Sequence, residues 1–162
     1  MLPIFRSVWQ LSNAVPIPNF NEHGFLPAGV HPCTLQEIRA RFGKFQDSDQ
    51  RPRLFSKLEI FVKELKSAAI VRALIVDGSF VSTTSSPNDI DIILVLAAGH
   101  DFTADLSPLQ YQIVERTKVR QKHGFDVFIA EDASPDYLVL VRFYQRVRLQ
   151  PGLTKGILRI EI

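Results

Sequence analysis

The sequence predicts a single α/β domain of the α+β type, with a mixed β-sheet flanked by helices. The chain has 162 residues and is 46% apolar, which allows one sizeable core but not two ordinary domains. The runs 70–76 and 90–96 are almost wholly apolar, as is typical of strands covered on both faces. Residues 52–69 carry apolar side chains at helical spacing with charges opposite, so they predict a helix that covers this sheet.

The chain is expected to have three parts. Residues 1–20 predict an N-terminal extension, residues 21–150 the folded domain, and residues 151–162 a C-terminal tail or edge strand. Within that tail, residues 156–162 alternate apolar and charged side chains, which suits an edge strand or a segment that docks on a partner. The segment 13–32 is rich in proline, glycine and asparagine and predicts an irregular arm.

Local signals predict the remaining elements. Thr34 and Glu37 have the spacing of a capping box, so a short helix is expected from there to about Phe42, before Gly43. The other predicted elements are helices over 52–69, 107–122 and 134–148 and strands over 70–76, 90–96 and 125–130.

Composition restricts the class of protein. A net charge of +2 gives no overall signature of polyanion binding, so nucleic acid is a partner that the sequence allows but does not indicate. Cys33 is the only cysteine, which excludes an intrachain disulfide and a cysteine-based zinc site and fits a reducing, cytoplasmic setting. Polar residues and prolines interrupt residues 1–20, so neither a signal peptide nor a membrane span is expected.

Three aspartates are the strongest candidates for chemistry. Asp89 and Asp91 precede an apolar run, and residues two apart in a strand share a face at roughly 6.5–7 Å. Two neighbouring carboxylates repel each other unless a cation or proton offsets their charge, and oxygen ligands favour Mg²⁺ or Mn²⁺ over zinc. If Asp126 lies on a neighbouring strand, the three could hold two metal ions about 3.5–4 Å apart, as in-line phosphoryl displacement requires. The alternative is that Asp89 caps the turn Ser85-Ser86-Pro87-Asn88 and that Asp91 is an exposed strand residue.

A Gly-Ser turn follows the first apolar run. Gly78 permits close approach of the backbone, and Ser79 offers a hydroxyl and N–H groups to a phosphate. An ordinary turn is the alternative. The order and spacing of the Gly-Ser turn and the aspartates carry more weight than either motif by itself.

The motif formed by these residues resembles that of a known superfamily. The run Val76-Asp77-Gly78-Ser79, followed after nine residues by Asp89-Ile90-Asp91-Ile92, resembles the signature of the DNA polymerase beta-type nucleotidyltransferases. The segments Phe25-Leu26-Pro27-Ala28-Gly29 and Lys155-Gly156-Ile157-Leu158 further resemble a poorly characterised bacterial family of small nucleotidyltransferase-like proteins. The resemblance implies a nucleotidyltransferase-like mixed sheet.

The resemblance also implies roles for individual residues. Gly78 and Ser79 would bind the donor nucleoside triphosphate, such as ATP, while Asp89, Asp91 and Asp126 would hold Mg²⁺ or Mn²⁺. Asp126 would further help to activate an acceptor hydroxyl, which attacks the α-phosphate while pyrophosphate leaves. The chain has little room for a second domain that binds the acceptor. A partner protein is therefore expected to bring it, as in the minimal nucleotidyltransferases of bacterial toxin–antitoxin pairs.

Several predictions remain open between alternatives. An antitoxin-like or nucleotide-binding interaction module with little catalysis is the alternative function. Arg120 and Lys122 are candidates for phosphate contacts, with plain solvent exposure as the alternative. His123 could face the site, or interact as a helix-terminal histidine with the helix dipole. Aromatic side chains expected in the core or an interface, with base stacking as the alternative, are Trp9, Tyr111, Tyr137 and Tyr144.

Overall fold

The computed structural model describes residues 16–162, so most of the expected extension, with Trp9, lies outside the described residues. It contains β1 (Gly29–Pro32), α1 (Leu35–Phe42), α2 (Gln50–Ala68), β2 (Val71–Asp77), β3 (Asp91–Leu96), α3 (Pro108–Val114), α4 (Arg116–His123), β4 (Asp126–Glu131), α5 (Pro135–Tyr144) and β5 (Gly156–Glu161). The strands form one sheet in the order β1-β5-β2-β3-β4. The predicted α+β class, a mixed sheet flanked by helices, is confirmed.

The sheet is mixed around β2. This strand pairs antiparallel with β3 and with β5, whereas β3 pairs parallel with β4 and β1 pairs parallel with β5. The C-terminal segment therefore forms a strand inside the sheet, and the expectation of an edge strand is wrong. Its charged Arg159 is accommodated because Asp132 and Tyr137 receive hydrogen bonds from the guanidinium. The two edge strands are β4 and β1, and β1 forms at the end of the segment expected to be irregular.

The helix predictions hold best where the capping signals are local. In α1, the Thr34 N–H donates to Glu37 Oε2 at 2.7 Å and the Glu37 N–H donates to Thr34 Oγ1 at 3.2 Å, as the capping box predicts. The helix expected over 107–122 is instead two helices, because Glu115 leaves the helical conformation and its carboxylate caps α4. Helix α5 ends at Tyr144, earlier than expected, where the Gln145 carbonyl accepts a hydrogen bond from Lys155 N–H.

The two faces of the sheet carry separate cores. One core contains the apolar side chains of α1, α2, α3 and α4, and the other packs β2 and β3 against α5. Ala73 and Ile75 of β2 belong to the core on the α5 face. Because side chains alternate between faces along a strand, Asp77 continues this series and lies on the α5 face. No helix within residues 16–162 has the length and apolar character needed to cross a membrane.

Candidate active site

Three aspartates form a row across adjacent strands. Asp77 ends β2 opposite Asp91, which begins β3, and Asp91 is in turn the partner of Asp126 at the start of β4. Residues directly opposite each other share a face of the sheet, so the three carboxylates lie on the α5 face. Asp89 precedes β3 in the loop rather than lying on the strand as expected, yet its charge acts on Asp91. These four residues are called the carboxylate cluster below.

Asp91 is the member of the cluster whose charge is least compensated. Its side chain is half-buried, and across residues 16–162 no group forms a hydrogen bond or an ion pair with it. Burial raises the pKa of Asp91 to about 6, and the charges of Asp89, Asp77 and Asp126 add to the rise. Such a carboxylate is stabilised by a proton or by a bound cation.

Asp77 is a site residue to which the sequence analysis assigned no role. It is 2% exposed, and Lys155 Nζ lies 2.9 Å from Oδ1 and 2.8 Å from Oδ2. Burial raises the pKa of Asp77 to about 6, while Lys155 and the Gly78 N–H oppose that rise. The sequence did contain a signal for this role: Asp77 is an acidic residue at the end of a buried apolar strand. A buried carboxylate requires a partner elsewhere in the chain.

The Gly-Ser turn packs directly on the loop that carries Asp89. Gly78 has φ +91°, and a Cβ there would lie 2.8 Å from the Asp89 carbonyl oxygen. The Ser79 hydroxyl and the Ser79 N–H both donate to Asp89 Oδ1, the latter at 3.1 Å. Asp89 therefore caps the Gly-Ser turn rather than the turn at residues 85–88 that the alternative interpretation named. A phosphate could reach the Ser79 donors only after Asp89 releases them.

The basic residues proposed for phosphate contacts have carboxylate partners. Arg120 Nη1 lies 3.2 Å from Asp126 Oδ1 at an exposed position beside the cluster. Lys122 pairs with Glu64 of α2, and His123 Nε2 lies 3.0 Å from Glu64 Oε2. Because His123 is buried on the α2 side of the sheet and stacks on Phe125, it does not face the cluster. The idea that His123 faces the site is thus wrong.

A cavity of about 490 Å³ opens next to the cluster. Its lining residues are Asp77, Asp91, Phe143, Tyr144, Arg146, Arg148 and Lys155. Arg146 and Arg148 are exposed at the cavity and form no ion pair within the described part of the chain. We call these two residues the arginine rim. They follow α5, although the sequence had predicted that they continue the helix.

The aromatic residues divide between the core and the surface. Tyr137 and Tyr144 are buried on the α5 face as expected, whereas Tyr111 is 49% exposed. Burial raises the pKa of Tyr144, and the charges of Asp91, Asp126 and Asp77 raise it further. Tyr144 therefore lies close to the cluster in its neutral form. Phe143, at 59% exposure, is the aromatic side chain of the cavity that is open to solvent.

The cluster fits a divalent cation by its chemistry, but it is not assembled around one. Within residues 16–162, no three His, Cys, Asp or Glu side chains are already arranged to hold a metal ion. Carboxylate oxygens are the ligands that Mg²⁺ and Mn²⁺ prefer, and the uncompensated charge of Asp91 favours a cation. Asp89 and Asp126 would have to exchange their contacts with Ser79 and Arg120 for the ion.

Comparisons with known proteins give a family but no activity. No curated protein and no solved structure matches the chain. A family model described as a family of unknown function, DUF6932, matches residues 18–161. The match spans the carboxylate cluster, Lys155 and the arginine rim, and it covers most of the sequence. The chain therefore belongs to DUF6932, a family of unknown function.

Proposed function

We propose that this protein is a metal-dependent nucleotidyltransferase that transfers NMP from a nucleoside triphosphate to a hydroxyl acceptor. The observation that carries the proposal is the row of carboxylates on three adjacent strands, with the charge of Asp91 uncompensated at its centre. The resemblance of residues 76–92 to the nucleotidyltransferase signature supports the same chemistry. The α+β fold is compatible with this assignment.

Asp91, with Asp89 and Asp126, would hold Mg²⁺ or Mn²⁺. When bound, the ion offsets the charge of the triphosphate and orients the displacement. The acceptor oxygen forms a bond to the α-phosphorus, the bond from that phosphorus to the pyrophosphate oxygen breaks, and the acceptor proton passes to Asp126. Arg120 holds Asp126 at the edge of the cluster before the acceptor arrives.

The triphosphate would lie in the cavity beside the cluster. Arg146 and Arg148 have no carboxylate partner among the described residues, so their guanidinium groups are available for phosphate oxygens. We propose these two arginines for the phosphate contacts in place of Lys122, because Lys122 pairs with Glu64, which lies outside the cluster. The Ser79 hydroxyl and N–H groups would turn to the phosphates once Asp89 binds the ion.

The second candidate function is an interaction module with little catalysis, such as an antitoxin-like protein. The observation that favours it is the closed state of the site, in which Ser79 holds Asp89 and Arg120 holds Asp126. In a binding module these contacts would be permanent. For the enzyme, we propose a cytoplasmic reaction and an acceptor hydroxyl carried by a partner protein, such as a toxin.

The test is transfer of label from α-labelled nucleoside triphosphates in the presence of Mg²⁺, with cell extract as the source of acceptors. Replacing both Asp89 and Asp91 by asparagine is expected to abolish transfer, because the ion loses two ligands. Asp105→Asn is the matched control, since this exposed carboxylate lies beyond the other end of β3. If the double variant transferred label as well as the wild type, the proposal that these aspartates form the active site of a nucleotidyltransferase would be refuted. An unchanged effect on a partner, without transfer by the wild type, would favour the interaction module.

A further inference from the structure

The buried pair between Lys155 and Asp77 points to the number of metal ions that the site takes. We propose that Lys155 takes the place of one metal ion, so that the carboxylate cluster binds a single divalent cation instead of two. The inference rests on the proposed function. It departs from the two-ion site that the three aspartates suggested in the sequence.

Both carboxylate oxygens of Asp77 already have a cationic partner. Lys155 Nζ lies 2.9 Å from Oδ1 and 2.8 Å from Oδ2. The Lys155 side chain is only 14% exposed and that of Asp77 only 3%. A second ion on Asp77 would have to displace an ammonium group that has almost no access to water, which is unfavourable.

The fold fixes the position of Lys155. Its backbone N–H donates to the Gln145 carbonyl at 2.8 Å, and the next N–H, of Gly156, donates to the Leu26 carbonyl at 2.8 Å. These bonds anchor the residue between the end of α5 and the segment before β1. The ammonium also lies 6.0 Å from the centre of the Phe25 ring. Lys155 is thus held in place by three separate parts of the chain.

Part of the charge of the cluster remains uncompensated. Lys155 compensates Asp77 and Arg120 compensates Asp126, whereas Asp89 and Asp91 have no cationic side chain bound to them in the described part of the chain. Before an ion binds, two negative charges of the cluster therefore lack a cationic side chain, and one divalent cation offsets two such charges. The ammonium also lies near Asp91, because Asp91 is directly opposite Asp77 in the sheet and lines the same cavity as Lys155. Lys155 therefore supplies positive charge where a second ion would otherwise be needed.

The experiment is a Mn²⁺ titration of the full chain, followed by electron paramagnetic resonance, without and with a non-hydrolysable ATP analogue. The wild type is expected to bind one Mn²⁺ per chain in both conditions, with the spectrum of an isolated ion. Lys155→Met keeps most of the length of the side chain but removes its charge. It therefore frees Asp77, and this variant should bind two ions. At the spacing of a two-metal site, about 3.5–4 Å, their spins couple. Lys155→Arg keeps the charge and should bind one.

Two ions or a coupled spectrum in the wild type would overturn the inference, and so would the absence of Mn²⁺ binding. A folded Lys155→Met protein that still binds one ion would overturn it as well. If the Lys155→Met variant does not fold, the number of Mn²⁺ ions bound by the wild type still tests the inference. Two ions together with label transfer would leave the proposed function intact. If the wild type binds one Mn²⁺ but transfers no label, the proposed function is refuted while the inference of a single ion stands.

Discussion

Asp91 is held in a position that favours its protonated form. The pKa of its carboxyl group rises from 3.8 to about 6 through burial and through the charges of Asp89, Asp77 and Asp126. Because the folded state binds this proton more tightly than the unfolded state, the contribution of Asp91 to the stability of the fold decreases as the pH rises from about 4 to about 6. At neutral pH without metal, the charge of Asp91 therefore opposes folding.

Asp91→Asn should consequently stabilise the metal-free protein. We expect the free energy of unfolding at pH 7 to increase by about 1 kcal/mol. This is less than the free energy that corresponds to the full pKa shift, because the side chain retains contact with water. Urea denaturation with a chelator at pH 7 and pH 4 measures this gain, which should shrink at pH 4. Asp105→Asn, the exposed control, should leave stability unchanged. A less stable Asn variant at pH 7 would contradict the role given to Asp91.

Gly78 is constrained both by its backbone angle and by its neighbours. With φ +91° and the backbone of Asp89 and Asp91 at 2.8 and 3.0 Å from the site of a Cβ, alanine would strain the turn and push the loop away. Gly78→Ala is expected to lower the free energy of unfolding by about 2–3 kcal/mol and to remove label transfer. Gly99→Ala is the matched control, since Gly99 has φ +78° but open space around it.

The comparison between the two alanine variants separates the contact from the backbone angle. Gly99→Ala should cost about 1 kcal/mol, the strain of a left-handed residue alone, and should retain transfer. Thermal denaturation and the label assay on both proteins test this difference. Equal losses of stability would mean that the packing of Gly78 on the Asp89 loop contributes nothing.

At the level of elements, one buried arginine joins α2 to two neighbouring segments. Arg51 is 1% exposed and donates hydrogen bonds to the carbonyls of Phe42 at 3.3 Å, Phe80 at 2.8 Å, Ser82 at 2.8 Å and Thr84 at 2.5 Å. Arg51→Met would leave these acceptors without a donor and is expected to cost about 3 kcal/mol or more. Amide hydrogen exchange over residues 80–84 should become faster, because this segment follows the Gly-Ser turn and depends on the guanidinium.

Arg53→Met, in the same turn of α2, is the matched control for the Arg51 variant. Arg53 pairs with Asp49 at 2.7 Å, but its side chain is 70% exposed, and exposed ion pairs contribute little. Urea denaturation should show a change within about 0.5 kcal/mol for this variant. Similar losses for both variants would mean that the buried carbonyl contacts do not stabilise the loop.

The elements that the sequence predicted are those whose signals are local. The apolar runs of β2 and β3 and the capping box at Thr34 lie within a few residues and need no tertiary information. The break at Glu115 and the inner position of β5 depend on partners distant in the chain, so periodicity could not predict them. Tertiary contacts also decide which face of the sheet each helix covers.

The same distinction applies to the site. Asp89 and Asp91 were predicted from their spacing and from the Gly-Ser turn before them. Asp126 was predicted on the condition that its strand lies next to theirs, and β4 does pair with β3. Lys155 was not, because it lies 78 residues from Asp77 and a single lysine gives no signal of burial. Arg51 escaped notice for the same reason, since an arginine on an amphipathic helix is usually exposed.

On the scale of the whole molecule, charge is sorted by position although the net charge is only +2. Two members of the carboxylate cluster, Asp77 and Asp91, line the same cavity as the arginine rim, whose two residues have no carboxylate partner in the described chain. A nucleoside triphosphate would suit this arrangement. Its negative phosphates need positive charge from protein side chains as well as from the metal ion. If the proposed function holds, the local charge of this cavity, rather than the overall charge of the protein, would select the triphosphate.

The arginine rim should therefore determine the affinity for the donor more than the rate of transfer. Arg146→Ala and Arg148→Ala are each expected to raise KM for the triphosphate about tenfold, the equivalent of one lost charged hydrogen bond, with kcat nearly unchanged. Arg142→Ala removes the same charge from an exposed position on α5 outside the cavity lining and should leave KM within about twofold. Initial rates at several salt concentrations test the difference, because the wild-type KM should rise with salt more steeply than that of the rim variants. If Arg142→Ala raised KM as much as the rim variants do, the general positive field of α5 would bind the triphosphate, and the rim would have no specific part in it.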